Sequence, residues 1–444
     1  MKSNLFKRGF LSLIATQFFG AMNDNVLKMV LIFMVNPLGL WDGDLGKGGA
    51  GMVGVFFTVP FILLSGFAGQ IADRYSKRQV TLWVKIAEVP IAIVAAIGFY
   101  SGNLWLVLLA LTALTCQSSF FGPAKYGMIP ELVDDSDLSR ANGTINMMTN
   151  LAVIGGALLA GWVGDAFYPK DGSPGISWLP GLVLISIAVG GLISAFFLTP
   201  LQAGDRSLKF EWNPFSTYVE TIREMAQTKL LMVMLAWGYF YLLAGLALAA
   251  LPGYDTVLGV SRFDASVLLA VLGVSVGVGC GVAGLISGHK IEPRLIPIGA
   301  FGLILFFALL GAVPPWMPDM APMLRVGLSN VAFFVFGAGF FAGFYIIPLQ
   351  ALLQKLSPDD ERGRFLGTAN AVSFTFLAVA GLLYWFVKGE FKELQHVFYM
   401  SSALMAVGAA FFLWMLRGTG LLVGSRPTDS ESEVAPAVDS GGPS

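Results

Sequence analysis

Residues 69–78 read GQIADRYSKR and separate two long apolar runs, at 49–72 and 79–101. Each run has more than 20 residues, and about 20 apolar residues suffice for a helix to cross a lipid bilayer. This pattern predicts two membrane-spanning helices joined by a short basic loop on the cytoplasmic side. The charged side chains of that loop are Asp73, Arg74, Lys77 and Arg78.

Runs of this kind recur along the whole chain of 444 residues. Hydrophobic residues make up 56% of the sequence and charged residues 12%, about half of the roughly 25% expected in a soluble protein. This composition disfavours a soluble enzyme, and the net charge of -1 disfavours a nucleic-acid-binding protein, which needs a basic surface. The sequence predicts an all-α integral membrane protein with twelve spans, at 9–36, 49–72, 79–101, 103–122, 140–165, 176–199, 229–251, 264–288, 295–314, 323–346, 365–387 and 396–416.

The basic residues between the spans predict the orientation of the chain. With the N-terminus in the cytoplasm, 19 of the 27 Lys and Arg residues fall on the cytoplasmic side and 6 on the other side. Cytoplasmic loops are enriched in Lys and Arg, so both termini are predicted to be cytoplasmic.

The polar connection after the sixth span divides the spans six and six. We predict an N-terminal bundle at 1–199, a cytoplasmic linker at 200–228, a C-terminal bundle at 229–419 and a disordered cytoplasmic tail at 420–444. Matching residues recur in the two halves at an offset of 224 or 225, which indicates two pseudo-symmetric repeats. They pair Pro123 with Pro348, and Gly143, Thr144 and Asn146 with Gly367, Thr368 and Asn370.

Twelve spans in two six-span halves resemble the architecture of the major facilitator superfamily, in which substrate binds near the midplane between the halves. Segment 69–78 also resembles the signature loop of that superfamily, in which a glycine precedes Asp-Arg and a basic pair. In this chain those positions are Gly69, Asp73, Arg74, Lys77 and Arg78. We expect Gly69 to allow close helix packing and Asp73 to pair with a cation or a neighbouring helix N-terminus.

Four charged residues lie well inside spans, where a charge usually faces a polar cavity or a partner. Asp24 and Lys28 are one helical turn apart in the first span, and Lys85 and Glu88 are three residues apart in the third. Each pair could be an internal ion pair that holds helices together, or it could line a transport cavity. Asn23 and Asn25 flank Asp24, and three consecutive polar residues on a helix require more than one partner helix. This favours the cavity for Asp24.

Residues 120–133 read FFGPAKYGMIPELV and begin at the predicted end of the fourth span. They resemble the lysophospholipid transporters of the major facilitator superfamily, as does the first-span stretch 17–25, QFFGAMNDN. The resemblance implies transport of lysophospholipids from the outer to the inner leaflet of a bacterial inner membrane, for reacylation by a separate acyltransferase. It also implies that Asp24, Asn25 and Lys125 lie along the head-group route. The resemblance leads us to expect charges in the seventh span too, yet that span has none.

Two spans carry small residues at every fourth position, the spacing at which helices approach closely. They predict either a sliding contact between the halves or plain helix packing. The residues are Gly156, Ala160 and Gly164 in the fifth span, and Gly273, Gly277 and Gly281 in the eighth.

We therefore predict a secondary transporter of lysophospholipids that works by alternating access. Its expected substrate-binding residues are Asp24, Asn25, Lys28, Glu88 and Lys125. One alternative is a proton-coupled exporter of small amphiphilic compounds, in which Asp24 or Glu88 carries the proton. Another is a non-transporting, lipid-sensing protein on the same fold.

The sequence has no metal-binding or nucleotide-binding motif, so we expect no enzyme, no cofactor and no nucleic-acid partner. The expected form is a monomer among membrane lipids, the transporter alone.

Overall fold

The structure is a computed structural model, and it describes residues 7–134, 138–201, 213, 215–287, 291–320, 322–358 and 362–417. The predicted disordered tail at 420–444 lies outside these residues, as does most of the linker before residue 215. No strand occurs among the described residues, and twelve of their helices are long and apolar enough to cross a membrane. The chain is therefore an all-α, multi-pass membrane protein, as the apolar runs predict.

The six spanning helices of the N-terminal half are α1 Arg8–Val35, α2 Gly49–Arg74, α3 Lys77–Tyr100, α4 Leu104–Leu132, α5 Leu138–Phe167 and α6 Leu179–Phe196. The predicted linker contains a helix of its own, α7 Ser216–Ala226. The C-terminal half contains α8 Leu230–Ala250, the short α9 Tyr254–Val257, α10 Arg262–Ser287, α11 Leu295–Ala312, the short α12 Pro322–Gly327, α13 Asn330–Leu356, α14 Arg362–Val387 and α15 Val397–Arg417.

The same pairs of spanning helices pack together in the two halves. In each half the first helix packs on the fifth and sixth, the second and third pack on the fourth, and the third packs on the sixth. The matching residues also occupy equivalent helices, since Pro123 lies in α4 and Pro348 in α13, the fourth spanning helix of each half. This agreement supports the predicted pseudo-symmetry.

Twelve alternating spans place the start of α1 and the end of α15 at one membrane face, which we call the terminal face. We call the other one the opposite face. Asn103 begins α4 at the opposite face, where its side chain accepts hydrogen bonds from the backbone amides of Trp105 and Leu106. Ser329 begins α13 in the same way. Such side chains satisfy amides that have no partner at a helix start.

The ends of α4 and α13 differ from the predicted spans. Helix α4 continues ten residues past the predicted end at 122, through Pro123 and Pro130. Helix α13 begins seven residues after the predicted start at 323 and continues ten residues past the predicted end at 346, through Pro348. Proline is tolerated inside membrane helices because neighbouring helices and local adjustments satisfy the freed backbone groups. Lys125 therefore lies within a spanning helix and not beyond its end.

The two halves meet through α2 with α14 and through α5 with α10. Near the opposite face, a Cβ atom on Gly51 would collide with the carbonyl oxygen of Gly381, and Trp385 donates a hydrogen bond to the carbonyl of Leu45 at 2.7 Å. At mid-depth, the rings of Phe61 and Phe374 stack with centroids 4.7 Å apart. The contact between the halves thus extends from the opposite face to the middle of the membrane.

Toward the terminal face the two halves are apart. A Cβ atom on Gly143 of α5, or on Gly367 of α14, would meet no atom within 4 Å. The glycines of the small-residue pattern in α10 differ in the same way in whether they lie against the other half. Gly273 of α10 would contact Ile154 of the other half, whereas Gly277 and Gly281 would contact nothing. The interior between the halves is therefore closed at the opposite face and open toward the terminal face.

Candidate substrate-binding site

Asp24 lies at the middle of α1 and points toward α4. Its two carboxylate oxygens accept hydrogen bonds from the Ser118 hydroxyl at 2.9 and 3.1 Å. The amide nitrogen of Gln117 donates to that hydroxyl at 3.1 Å and orients it. Within the described part of the chain, no other side chain donates to the Asp24 carboxylate and no cation lies within 4 Å of it. The carboxylate is therefore available to a ligand.

The two asparagines beside Asp24 point to other helices. The Asn23 amide donates to Glu88 of α3 at 2.7 Å, and the Asn25 amide donates to the carbonyl of Val153 in α5 at 2.7 Å. Both asparagines are buried. Three consecutive polar residues thus contact three different helices, as the sequence predicts. Asn23 and Asn25 join helices within one half, while the role of Asn25 as a substrate ligand stays a prediction.

Lys28 forms no ion pair with Asp24, so the first of the two interpretations that their spacing allowed is not found. Its ammonium group lies 4.6 Å from the ring centroid of Phe57 in α2, where the negative face of an aromatic ring attracts a cation. The Asp24 carboxylate turns to Ser118 of α4 instead, so the shared helix face does not bring the two charges together. Lys28 borders a cavity of ≈ 60 Å³ between α1, α2, α8 and α14. Pockets that bind drug-sized ligands have volumes of about 300–1,000 Å³. This cavity is therefore too small for a lipid in the present conformation.

Lys85 and Glu88 form an ion pair at 2.6 Å, and their side chains are 1% and 0% exposed. Two glycines make room for the lysine. A Cβ atom on Gly20 of α1 would lie 2.6 Å from its ammonium group, and one on Gly191 of α6 would lie 3.6 Å away. Together with the hydrogen bond from Asn23, these contacts favour the interpretation that the pair holds α1, α3 and α6 together. A substrate-binding role for Glu88 stays a prediction.

Lys125 lies on α4 two helical turns beyond Ser118. Seven residues correspond to about 10 Å along a helix and return to nearly the same side. Gly122 lies between them, and a Cβ atom there would meet no atom within 4 Å, so this side of α4 borders open space. The Lys125 ammonium lies 4.3 Å from the Tyr126 ring centroid. No carboxylate of the described residues is within ion-pair distance of it. Asp24 and Lys125 thus place opposite charges along one side of α4.

The predicted signature loop fastens the start of α3 to neighbouring helices. Lys77 pairs with Glu131 at the end of α4 at 2.7 Å, and Arg78 donates to the carbonyl of Leu198 after α6 at 2.8 Å. Arg74 ends α2. The expected close packing at Gly69 is absent in this conformation, because a Cβ atom there would meet nothing within 4 Å. Asp73 is exposed and has no ion-pair partner among the described residues, so its expected pairing with a cation is not found in this conformation.

The C-terminal half contributes aromatic residues to the middle of the membrane. Trp237 and Tyr241 of α8 pack edge to face, and Phe240 stacks on Tyr345 of α13. The Tyr345 hydroxyl donates to the carbonyl of Ala236 at 3.2 Å. In the described spanning helices of this half, every Asp, Glu, Lys and Arg lies within one turn of a helix end. Away from the helix ends, the lack of charge in the seventh span thus extends to the other described spans of this half.

Ser118 and Gln117 are site residues that the sequence did not predict. The polar stretch at 117–119 in an apolar span was the available signal. Sequence alone does not show which side of α4 faces Asp24, so the stretch could not be assigned a partner.

The model of the Major Facilitator Superfamily matches residues 13–382 of the chain. A relative named Lysophospholipid transporter LplT from Cronobacter sakazakii is 26% identical over 385 residues, which cover 83% of this chain and 85% of the relative. A relative of the same name from Photorhabdus laumondii is 28% identical over 359 residues, covering 79% and 81%.

Two solved structures are similar to the whole chain. A bacterial homologue of the human lysosomal transporter Spinster, in an inward-facing and unoccupied conformation, gives a TM-score of 0.67 at 15% identity and covers 96% of this chain and 100% of that chain. A POT family transporter gives a TM-score of 0.69 at 12% identity and covers 95% and 99%. At these identities the structures support the fold alone.

Proposed function

The chain belongs to the major facilitator superfamily, and from this premise we propose that it moves lysophospholipids from the outer to the inner leaflet of the bacterial inner membrane by alternating access. The family and the relatives identify a membrane transporter and not an enzyme. The substrate class, the direction and the mechanism are our proposal.

One observation carries the substrate class, namely the uneven distribution of charge between the halves. Among the described spanning helices, every charged residue more than one turn from a helix end, including Asp24 and Lys125, belongs to the N-terminal half. The described mid-depth aromatic residues of the C-terminal half are Trp237, Phe240 and Tyr241 of α8 and Tyr345 of α13. A lysophospholipid has a charged head and one acyl chain, so it needs one charged wall and one apolar wall. The relatives named lysophospholipid transporter support the same substrate.

The two charged ends of the site suit different parts of a head group. Lys125 has no carboxylate partner among the described residues, and its ammonium can bind a phosphate by charge-assisted hydrogen bonds. Asp24 accepts from Ser118 alone within the described chain and can accept from an ammonium or hydroxyl group of the head. The acyl chain would lie against the aromatic residues of α8 and α13. The mixed chemistry of the substrate thus matches the residues that the two halves present.

The orientation of the chain rests on the charge of the loops, and the direction of transport rests on the resemblance to the lysophospholipid transporters. The terminal face carries most of the basic residues, so we assign it to the cytoplasm. The structure is open toward that face and closed at the other, which corresponds to the state that releases substrate inward. The released lysophospholipid would then be the substrate of a separate acyltransferase. We expect the transporter itself to act as a monomer.

Uptake of labelled lysophospholipid into proteoliposomes tests this function. We expect uptake that exceeds that of empty liposomes. It should also exceed the uptake of a diacyl phospholipid with the same head group, because two acyl chains need more apolar surface than one. Uptake should persist after ionophores collapse the ion gradients. Uptake that requires a pH gradient would favour the proton-coupled exporter instead. A protein that moves no lysophospholipid and no small amphiphile would contradict transport altogether.

Replacing Lys125 with alanine should reduce lysophospholipid uptake at least tenfold. A hydrogen bond to a charged group contributes about 1.5–3 kcal/mol, and about 1.4 kcal/mol corresponds to a factor of ten. Lys125→Arg keeps the charge and should retain more uptake than Lys125→Ala. The measurement is the initial uptake rate in proteoliposomes that contain equal amounts of folded protein.

The control is Lys392→Ala, which removes an exposed lysine between α14 and α15. It should leave uptake unchanged. Wild-type uptake by Lys125→Ala would remove this lysine from the head-group site.

A further inference from the structure

Arg262 is the first residue of α10, and its side chain is completely buried. The guanidinium Nη1 donates to the carbonyls of Gly164 at 3.2 Å and Tyr168 at 2.6 Å, and Nη2 donates to the carbonyl of Leu38 at 2.8 Å. All three acceptors belong to the N-terminal half. Gly164 and Tyr168 lie at the C-terminal end of α5, where unpaired carbonyls attract a cation. A cation of one half thus caps a helix of the other.

Asp165 makes the reverse connection. Its carboxylate accepts hydrogen bonds from the backbone amides of Arg262 at 3.0 Å and Phe263 at 2.9 Å, so it caps the N-terminus of α10. It also lies 3.7 Å from the Arg262 guanidinium. A carboxylate at a helix N-terminus is stabilised by the free amides and by the helix dipole. Each half therefore supplies the charge that caps a helix end of the other half.

Small residues of α5 allow α10 to approach this closely. A Cβ atom on Gly161 would collide with the Ser266 hydroxyl and the Arg262 carbonyl, and one on Gly164 would lie 3.2 Å from Cδ of Arg262. Beside them Lys170 pairs with Asp255 of the C-terminal half at 2.9 Å. By contrast, residues 45–51 contact α14 near the same face through glycine backbone and a tryptophan hydrogen bond. Among the described residues, the ion pairs that we find between the halves join the end of α5 and the residues after it to α9 and the start of α10.

We propose that Arg262 keeps a gate at the opposite face closed by holding the two halves together there. While the gate is closed, the Arg262 guanidinium donates hydrogen bonds to carbonyls of the N-terminal half, and the Asp165 carboxylate accepts hydrogen bonds from the backbone amides at the start of α10. Separation of the halves at this face breaks both connections at once. A shorter neutral side chain leaves the Gly164, Tyr168 and Leu38 carbonyls without these donors, so it weakens the closed gate specifically. The role in a transport cycle rests on the proposed function, whereas opening of the gate can be measured without substrate.

A cysteine at Ser266 reports the state of the gate. Ser266 is completely buried beside Gly161 at this contact. In a background with Cys116 and Cys280 replaced by alanine, S266C should react slowly with a water-soluble maleimide in lipid nanodiscs. Adding Arg262→Gln should raise the reaction rate at least tenfold. Asp165→Asn, which keeps an oxygen but loses the charge, should raise it severalfold.

Two controls separate gate opening from other effects. Arg294→Gln makes the same change at an exposed arginine and should leave the rate unchanged. A cysteine at Ser119, which is buried in α4 away from this contact, should stay slow in every variant. An unchanged S266C rate in Arg262→Gln, or in Asp165→Asn if the first variant does not fold, would overturn the proposal. So would equal acceleration at both cysteines, since that indicates general loosening. A failure of lysophospholipid uptake would not alter these rates, so the two proposals can fail separately.

Discussion

Asp24→Asn is expected to lower lysophospholipid uptake at least tenfold while the protein still inserts into the membrane and folds. Asparagine has nearly the same shape and keeps one oxygen as an acceptor for the Ser118 hydroxyl, so the contact between α1 and α4 survives. What is lost is the negative charge. Because no cation of the described residues pairs with this carboxylate, its charge is available to the substrate. Loss of a charged hydrogen bond of about 1.5–3 kcal/mol corresponds to roughly 10- to 150-fold in binding.

The matched variants separate the effect of losing the Asp24 charge from the effect of losing the contact between α1 and α4. Asp44→Asn makes the same change at an exposed aspartate near the opposite face and should leave uptake unchanged. Ser118→Ala removes the hydroxyl and keeps the charge, so it should have the smaller effect. The readout is the initial uptake rate over a range of lysophospholipid concentrations. Asp24→Asn with wild-type rates at all concentrations would remove Asp24 from the site. Loss of pH-gradient dependence with uptake retained would assign the carboxylate to proton coupling.

The span pattern could be predicted because a membrane imposes a length of about 20 apolar residues on each helix. The partners of Asn23, Asp24 and Asn25 could be predicted only in number. Three adjacent helical residues point in different directions, but which helix lies in each direction depends on the packing of the whole bundle. Ser118 could not be predicted for that reason. The predicted end of α4 is wrong because Pro123 usually stops a helix in water, whereas the membrane fold tolerates it.

The partners of charged residues also could not be predicted from the sequence. The spacing of Asp24 and Lys28 allows an ion pair or a cavity lining. It does not show that Ser118 binds the carboxylate and that Phe57 attracts the ammonium, so that each has a separate partner. Arg262 lies just before the predicted eighth span, where the sequence predicts a loop outside the membrane. In the structure it is buried among carbonyls of the other half. The contacts of the Arg262 side chain with the other half bring together residues more than 90 positions apart, and no local pattern indicates them.

The polar residues of α1 therefore have distinct physical roles. Asn23 and Asn25 satisfy groups on α3 and α5 and so position α1 within the N-terminal half. Asp24, between them, is held in place by its neighbours but is not neutralised by a cation of the described chain. A charge that is rigidly positioned and unpaired is what a binding site for a charged head group requires. The glutamate that Asn23 contacts has its own cation, and this distinguishes Glu88 from Asp24.

Breaking the ion pair of Lys85 and Glu88 should strongly destabilise the N-terminal half. Both side chains are almost completely buried. Glu88→Gln leaves the Lys85 ammonium without its carboxylate, and removal of one partner of a buried pair costs about 3–5 kcal/mol. Lys85→Met should cost a similar amount. The double variant Lys85→Met with Glu88→Gln has no unpaired charge and keeps an acceptor for Asn23, so it should recover most of the stability. Thermal unfolding in detergent, followed by size-exclusion chromatography, measures each variant.

Glu131→Gln provides the matched control, because it breaks an ion pair of similar length between two partly exposed side chains. Such a pair contributes about 0–1 kcal/mol, so the loss should be small. Uptake by the double variant then decides the role of Glu88. If the pair only holds the helices together, the double variant transports lysophospholipid at a rate near that of the wild type. If Glu88 binds substrate or carries a proton, the double variant is stable but inactive. Equal stability of Glu88→Gln and the wild type would contradict the burial argument.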